Sequence, residues 1–208
     1  MPVESLLTFI FASALLSLAP GPDNLFVLTQ SALYGRRSGL LITAGLCTGL
    51  IVHTTAVALG IAVIFQSSAL AFTLLKSAGA AYLLYLAWQT WRSAGATLTP
   101  PRANVRSAAA LYRRGILMNI TNPKVSLFFL AFLPQFTTPH NGSVMLQSAL
   151  LGGLFMLTAF IIFCAIALGS AVLSQWFATS HNARKILNRT AAGVLLVMAV
   201  RLATSRQN

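Results

Sequence analysis

The chain has 208 residues, of which 57% are hydrophobic and 8% are charged, with a mean hydropathy of +0.78. A soluble domain carries roughly 25% charged residues, so this composition excludes an ordinary water-soluble fold. Fourteen basic residues against two acidic ones give a net charge of +12, which in a soluble protein would indicate nucleic-acid binding. The composition instead predicts an integral membrane protein.

Six hydrophobic segments are long enough to cross a bilayer, because a helical span needs about 20 mostly apolar residues. The first is interrupted at Pro20-Gly21-Pro22 and the fourth at Asn122-Pro123. The segments cover residues 3–33, 39–65, 69–91, 111–136, 144–173 and 186–203. We therefore expect an all-α membrane protein with one transmembrane domain. Glu4, in place of a basic leader, argues against a cleaved signal peptide. A re-entrant hairpin in the first segment, which leaves five spans and an inward N-terminus, is the alternative topology.

Basic residues lie in alternate connections between these segments. The two remaining loops, 66–68 and 134–143, contain none. By the positive-inside rule, the basic connections face the cytoplasm and both termini face outward. The basic residues of the alternate connections are Arg36, Arg37, Arg92, Arg102, Arg106, Arg113, Arg114, Arg184, Lys185 and Arg189. The aromatic residues expected at the same membrane interface are Trp88, Trp91, Tyr112 and Trp176.

A polar linker over residues 93–110 divides the chain into two halves, 1–92 and 111–208, of three segments each. Because three is odd, two halves with the same fold must insert with opposite orientations. Each half opens with an interrupted segment, and Pro20 and Pro123 are 103 residues apart. Proline breaks the helical ladder and frees carbonyls, which in lipid need an enclosed polar environment. Paired breaks predict two inverted repeats with a transporter site between them, whereas simple kinks are the alternative.

Charged and amide side chains flank both breaks. Asp23 is the one carboxylate in the interior of the predicted spans, because Glu4 lies at the very start of the first; a charge at that depth costs about 2.5–3.5 kcal/mol. It is expected to bind a substrate ammonium or to carry a coupling proton, or alternatively to cap a helix. Lys124 is expected to receive a substrate carboxylate or to pair with Asp23, and a structural ion pair between the halves is the alternative. Asn24, Asn119 and Asn122 could orient either end of a zwitterion.

His53 shares a helix face with Gly45 and Gly49, at steps of four residues. Such spacing favours close helix packing, which explains both glycines, inside the protein or in a homodimer. Because a free histidine side chain titrates near neutral pH, His53 is a candidate proton carrier, with a hydrogen-bonded packing role as the alternative. Cys47 and Cys164 lie apart, and together with the histidines they show no metal-ligand spacing. We therefore expect no metal, no cofactor and no enzyme.

Several motifs together resemble the LysE/RhtB family of amino-acid exporters, over essentially the whole chain. The resemblance implies a small bacterial inner-membrane exporter of amino acids or their derivatives, driven by the proton motive force. The pattern is most similar to the homoserine/threonine branch, because His53 follows Gly49 and Lys76 follows Leu75. The motifs are Ala19-Pro20-Gly21-Pro22-Asp23-Asn24, Gly45 with Gly49, Gly79-Ala80-Ala81-Tyr82-Leu83, Thr121-Asn122-Pro123-Lys124 and Gln135-Phe136.

The sequence thus predicts a proton-coupled exporter of small amino acids such as threonine or homoserine, with a lipid bilayer as its surroundings. Asp23 and His53 are the expected proton-coupling residues. An exporter of inorganic ions or other metabolites and a membrane-embedded hydrolase using Lys124 are the alternatives. The expected substrate-binding residues are Pro20, Gly21, Pro22, Asp23, Asn24, Gly49, His53, Asn119, Asn122, Pro123 and Lys124.

Overall fold

The computed structural model of the chain describes residues 1–19, 21–60, 69–92, 107–172 and 181–204. Helices account for nearly all of these residues, and no strand is found among them. A π-helical turn (Phe128–Phe132) and a 3-10 turn (Leu133–Phe136) continue the sixth helix. The helices are α1 (Val3–Leu18), α2 (Pro22–Tyr34), α3 (Arg36–Ala58), α4 (Ala69–Arg92), α5 (Ala108–Ile120), α6 (Pro123–Leu127), α7 (Val144–Leu168) and α8 (His181–Thr204).

Helix length and composition identify candidate membrane spans. Helices α3 and α7, with 23 and 25 residues, are each long and apolar enough to cross a bilayer alone. The bent pairs α1 with α2 and α5 with α6 would each add one span, so the described residues contain two to four candidates. At the positions of the third and sixth expected spans lie α4 and α8, each with 24 residues. The all-helical membrane fold is as predicted.

The first break separates α1 from α2, and the pair is bent by 59° there. Gly21 is the N-cap of α2 and Pro22 takes its first helical position, where the missing N–H of proline costs nothing. Asp23 follows inside the first turn, so the alternative prediction that Asp23 caps this helix was wrong. Pro20 lies outside the described residues. At the other end of α2, Gly35 adopts a φ of 84° and links α2 directly to α3.

The second break separates α5 from α6, with a bend of 46°. Asn122 is the N-cap of α6, and its side-chain oxygen accepts a hydrogen bond of 3.0 Å from the Lys124 backbone N–H. Pro123 holds the first helical position, as Pro22 does in the first break. The matched prolines are therefore Pro22 and Pro123, whereas the sequence-based comparison paired Pro20 with Pro123.

A glycine-lined crossing holds α3 against α5, and the two helices run parallel. A Cβ at Gly45 would overlap the carbonyl oxygen of Tyr112 and lie 3.1 Å from the Cα of Gly115. A Cβ at Gly49 would lie 2.7 Å from the Cβ of Asn119. The packing interpretation of these two glycines is confirmed, and the face that they form is covered within the chain by α5. This crossing fixes the position of the C-terminal end of α5, where the second break lies.

Two antiparallel pairs complete the helix packing. Helix α7 packs against α3, where a Cβ at Gly39 would lie 2.9 Å from the Cβ of Ala167. Helix α8 packs against α4, where a Cβ at Gly79 would lie 2.9 Å from a methyl group of Leu202. Gly152 of α7 also approaches the side chain of Thr54 near the other end of α3. The small residues thus let the helices of each pair approach closely.

An aromatic cluster packs α1 and α7 against the chain that follows α6. The Phe9 ring lies 5.6 Å from Phe128 and 5.3 Å from Phe136, and Phe155 lies 5.1 Å from Phe128 and 5.2 Å from Phe129. These centroid distances are typical of favourable tilted and edge-to-face ring pairs. The cluster therefore anchors the π-helical turn, and with it α6, to two long helices.

The aromatic residues expected at the interface divide into two groups. Trp88 and Trp91 are exposed, and the guanidinium groups of Arg92 and Arg189 lie over them at 5.3 and 5.1 Å. Tyr112 instead turns inward, and its hydroxyl lies 2.8 Å from that of Thr48 on α3.

Tyr112 lies on the face of α5 that packs against α3, whereas Arg113 and Arg114 follow it on other faces of the same helix. The presence of these arginines next to it in the sequence therefore did not indicate which way Tyr112 points. Trp176 lies outside the described residues, as does most of the predicted linker over residues 93–110, and α5 already begins at Ala108.

Candidate functional site

The Lys124 side chain reaches from the second break to the first. Lys124 is only 6% exposed, and its ammonium group donates hydrogen bonds of 3.1 Å to the carbonyl oxygens of both Leu16 and Ala19. These carbonyls lie at the C-terminal end of α1, where the helix break leaves them without intrahelical partners. A positive charge is favourable there, because the helix dipole places partial negative charge at a C-terminus.

The Asp23 carboxylate lies on the opposite side of the first break and is 2% exposed. Its Oδ2 atom accepts a hydrogen bond of 2.7 Å from the Asn122 amide. Its Oδ1 atom has no hydrogen-bond partner among the described residues. Its place in the first turn of α2 favours a negative charge, because a helix N-terminus carries partial positive charge.

Asn122 joins the two charged residues. Its amide donates to Asp23 and its oxygen accepts from the backbone of Lys124, so both ends of one side chain are engaged. In the described part of the chain no hydrogen bond joins Asp23 directly to Lys124, and Asn122 bonds to both residues instead. The pairing expected from the sequence is therefore indirect.

Two further buried oxygens near the first break lack partners. The Asn24 amide donates a hydrogen bond of 2.6 Å to the carbonyl oxygen of Ser17, which orients its Oδ1 atom away from that bond. Neither Asn24 Oδ1 nor Ser17 Oγ has a partner within the ranges that the structure describes. Buried polar atoms are nearly always hydrogen-bonded in folded proteins, so unpartnered acceptors indicate a place for water or a ligand.

His53 lies beside the second break. Its Nε2 atom is 3.2 Å from the carbonyl oxygen of Asn119, and its ring centroid is 5.7 Å from that of Phe129. The same carbonyl accepts a hydrogen bond of 3.0 Å from the Asn122 backbone N–H. The Oδ1 atom of Asn119 is buried and has no partner in the described residues. His53, Asn119 and Asn122 therefore form one contiguous group.

The structure brings most of the predicted site residues together. Gly21, Asp23, Asn24, Asn122 and Lys124 surround the facing ends of the two breaks, as the contacts of the Lys124 ammonium and the Asn122 amide show. Of the remaining residues, Pro22 belongs to the first break and the others define or adjoin the second break, apart from Pro20, which is not described. These others are Gly49, His53, Asn119 and Pro123.

The carbonyl groups of Leu16 and Ala19 were missed at the sequence level. Every residue has a carbonyl, so no residue type marks these two positions. The only available signal was their place just before a proline, which predicts free carbonyls on the preceding turn. Within the described ranges, no three His, Cys, Asp or Glu side chains come together as metal ligands would.

Substitutions at Asn122 should separate its two roles. Asn122→Ala removes the N-cap and the donor to Asp23, so we expect a loss of about 1 kcal/mol from the cap together with a loss of activity. Asn122→Ser keeps a capping hydroxyl but is too short to reach Asp23, so it should retain the thermal unfolding midpoint and lose activity. Thermal unfolding and the transport activity expected from the sequence, measured side by side, test this. Equal unfolding losses in both variants would contradict the assignment.

The comparison with protein families supplies the identity of the chain. Residues 14–206 match the model of the family described as LysE type translocator. The chain belongs to this family.

The relatives of the chain include several efflux proteins. A homoserine/homoserine lactone efflux protein of Salmonella typhimurium is 35% identical over 209 residues, covering 99% of each chain. A leucine efflux protein of the same organism is 28% identical over 204 residues, covering 95% of this chain and 93% of the relative. A Vibrio cholerae protein, named only as an uncharacterized membrane protein, is 38% identical over 139 residues, covering 67% and 68%. No solved structure matches the chain.

The resemblance to LysE/RhtB exporters that the sequence motifs indicated is thereby confirmed. The residues that carried that inference include those that meet at the two breaks.

Proposed function

We propose that this LysE family member is a secondary transporter that exports small neutral amino acids, such as threonine, homoserine or leucine, across the bacterial inner membrane in exchange for protons. The observation that carries the proposal is the meeting of two helix breaks around a buried carboxylate with one unpartnered oxygen, Asp23 Oδ1. The names of the relatives, homoserine/homoserine lactone efflux protein and leucine efflux protein, support amino-acid efflux.

We further propose six spans arranged as two inverted repeats, with α1/α2, α3 and α4 in the first and α5/α6, α7 and α8 in the second. Equivalent packing supports this, because α3 packs on α5 while α7 packs on α1. The parallel run of α3 with α5 and the antiparallel runs of α3 with α7 and α4 with α8 suit alternating spans. A bend of 59° does not reverse the chain, which favours a broken span over a re-entrant hairpin for α1 and α2.

The orientation follows from the arginines. Arg36 begins α3 and Arg92 ends α4, so these two helix ends face the cytoplasm under the positive-inside rule. Trp88 and Trp91 are exposed and each lies against an arginine guanidinium, that of Arg92 or Arg189, as is typical of residues at a membrane interface. Both termini then face the periplasm, and the predicted linker over residues 93–110 faces the cytoplasm.

The proposed transport cycle uses both charged residues. Asp23 Oδ1 receives the substrate ammonium from the cytoplasmic side, and Lys124 meets the carboxylate. Protonation of Asp23 from the periplasm removes its negative charge, so the ammonium loses its partner and the substrate leaves there. Deprotonation toward the cytoplasm resets the carrier. Half-helix ends facing a central site are the arrangement that many secondary transporters use for this purpose.

His53 is the second proposed coupling residue, because it is a half-buried titratable group bonded to the second break. His53→Gln keeps a side-chain N–H able to reach the Asn119 carbonyl but does not titrate. We expect this variant to retain amino-acid counterflow and to lose most of the stimulation by a proton gradient, as measured in proteoliposomes. Full stimulation in His53→Gln would assign His53 to packing alone.

Counterflow tests the proposed function directly. Purified protein in liposomes preloaded with unlabelled amino acid is offered labelled threonine, homoserine, leucine or lysine outside. We expect saturable uptake of at least one neutral amino acid, faster under an imposed proton gradient, and little uptake of lysine. Absence of counterflow for every neutral amino acid, in protein with an intact thermal unfolding transition, would contradict the proposal.

A further inference from the structure

The Lys124 ammonium occupies a place suited to any primary ammonium group. Two carbonyl oxygens at the end of α1, those of Leu16 and Ala19, accept its hydrogen bonds at 3.1 Å. Gly21 permits this approach, because a Cβ there would lie only 3.2 Å from Lys124 Nζ. An ammonium group has three donors, and a helix C-terminus attracts positive charge. The end of α1 is therefore a formed ammonium-binding position.

Several buried oxygens near the first break accept no hydrogen bond from Lys124 or from any other described residue. Asp23 Oδ1, Asn24 Oδ1 and Ser17 Oγ are buried without partners among the described residues, and their residues are 2%, 8% and 4% exposed. Asp23 and Asn24 occupy the first turn of α2, and Asn24 bonds to the carbonyl of Ser17 in the last turns of α1. A ligand with several N–H donors would satisfy these oxygens, whereas an anion would be repelled by Asp23 and could accept only from the Ser17 hydroxyl.

We propose that the C-terminal carbonyls of α1 form the subsite for the substrate ammonium, and that Lys124 fills this subsite as a tethered substitute while no substrate is bound. The inference rests on the proposed function, which it extends by naming the chemical group that is recognised. When a substrate enters, its ammonium replaces that of Lys124 on Leu16 and Ala19 and gives its third N–H to Asp23 Oδ1, its partner in the proposed cycle. Lys124 is then released to meet the substrate carboxylate.

The exchange also has a mechanical consequence. Lys124 belongs to α6 and its bonds tie α6 to the end of α1, so its replacement removes a direct connection between the two breaks. Substrate entry and release of this tie become one event. Substrates must therefore carry an unblocked ammonium group, while a carboxylate is helpful but not required. Amino alcohols and amino esters qualify, and N-acylated amino acids do not.

The first test asks whether the end of α1 binds a free ammonium. Lys124→Ala removes the tethered group and leaves space for n-propylammonium, which replaces the missing part of the side chain. We expect n-propylammonium to raise the thermal unfolding midpoint of Lys124→Ala by several degrees, and the uncharged n-propanol to leave it unchanged. Wild type and Lys76→Ala, a lysine variant on α4, serve as controls without a specific response. Equal effects of the amine and the alcohol would overturn the proposal.

The second test compares ligands and also serves if Lys124→Ala does not fold. Lys124→Met keeps the length of the side chain and removes its charge. Leucinol carries an ammonium group but no carboxylate. N-acetyl-leucine carries a carboxylate, but its amine is blocked. If the subsite is free of the Lys124 ammonium in about a tenth of wild-type molecules, leucinol should bind Lys124→Met about tenfold more tightly than wild type, because every molecule of the variant has a free subsite. N-acetyl-leucine should not compete with leucinol in either protein. Weaker leucinol binding in Lys124→Met, or competition by N-acetyl-leucine, would overturn the proposal.

The two hypotheses fail in different ways. The alkylamine test needs no transported substrate, so a response to n-propylammonium without amino-acid counterflow would overturn the proposed function alone. Counterflow with equal binding of leucinol and N-acetyl-leucine would overturn the ammonium subsite alone.

Discussion

Asp23→Asn is expected to reduce proton-driven amino-acid efflux to the level of protein-free liposomes while the protein remains folded in the membrane. Asparagine presents an oxygen that can still accept from the Asn122 amide, so the link between the breaks persists. It cannot carry a proton or offer a negative charge to a substrate ammonium. A charge buried within the membrane is unfavourable, so its removal should leave the thermal unfolding midpoint equal to that of wild type or higher.

The matched control for Asp23→Asn is Glu4→Gln. Glu4 is the other acidic residue of the chain and lies exposed in the first turn of α1. We expect Glu4→Gln to transport as wild type does, across the same range of pH. Retention of gradient-driven efflux by Asp23→Asn in proteoliposomes, at wild-type protein levels, would assign proton coupling to another residue.

Gly45→Ala is expected to destabilise the protein and to stop transport, although the residue contacts neither charged side chain of the site. The added methyl group would overlap the Tyr112 carbonyl and crowd the backbone of Gly115 and Ile116. These neighbours are backbone atoms and cannot change rotamer, so α3 and α5 must separate. Overpacking of this kind costs about 1–3 kcal/mol and occasionally more. Displacement of α5 moves Asn122 away from Asp23, which adds a loss of transport.

Gly153→Ala provides the control for Gly45→Ala. A Cβ at Gly153, on α7, would meet no other atom of the described residues within 4 Å. Alanine is also favoured over glycine in a helix, so this variant should unfold at the same temperature as wild type or slightly higher. Thermal unfolding of both variants in one detergent makes the comparison. An unchanged midpoint in Gly45→Ala would show that the crossing of α3 and α5 adapts to the methyl group.

The two breaks were predictable because proline acts locally. Pro22 and Pro123 each begin a helix, wherever the rest of the chain lies. In the sequence, the distance from Pro20 to Pro123 suggested two equivalent halves. The choice between Pro20 and Pro22 was not predictable, because either could start the second half-helix. Only the observed N-cap at Gly21 decides between them.

Contacts between distant helices were harder to predict than positions along one helix. The spacing of Gly45 and Gly49 predicted a packed face, but one sequence does not name α5 as the helix that covers it. Opposite charges suggested that Lys124 bonds to Asp23. Backbone carbonyls without partners compete for the same ammonium, and in the structure they receive its hydrogen bonds. Their position depends on the bend between α1 and α2, which side-chain identity does not encode.

Proton movement during amino-acid transport tests the central claim most directly. Liposomes containing the protein and an enclosed pH-sensitive dye are given a gradient of the amino acid that counterflow selects, with no initial pH difference. If the breaks form a proton-coupled site, the amino-acid gradient should drive protons in the opposite direction in wild type, and no proton flux should occur in Asp23→Asn. Amino-acid movement without proton flux in wild type, or equal proton flux in both proteins, would contradict the account.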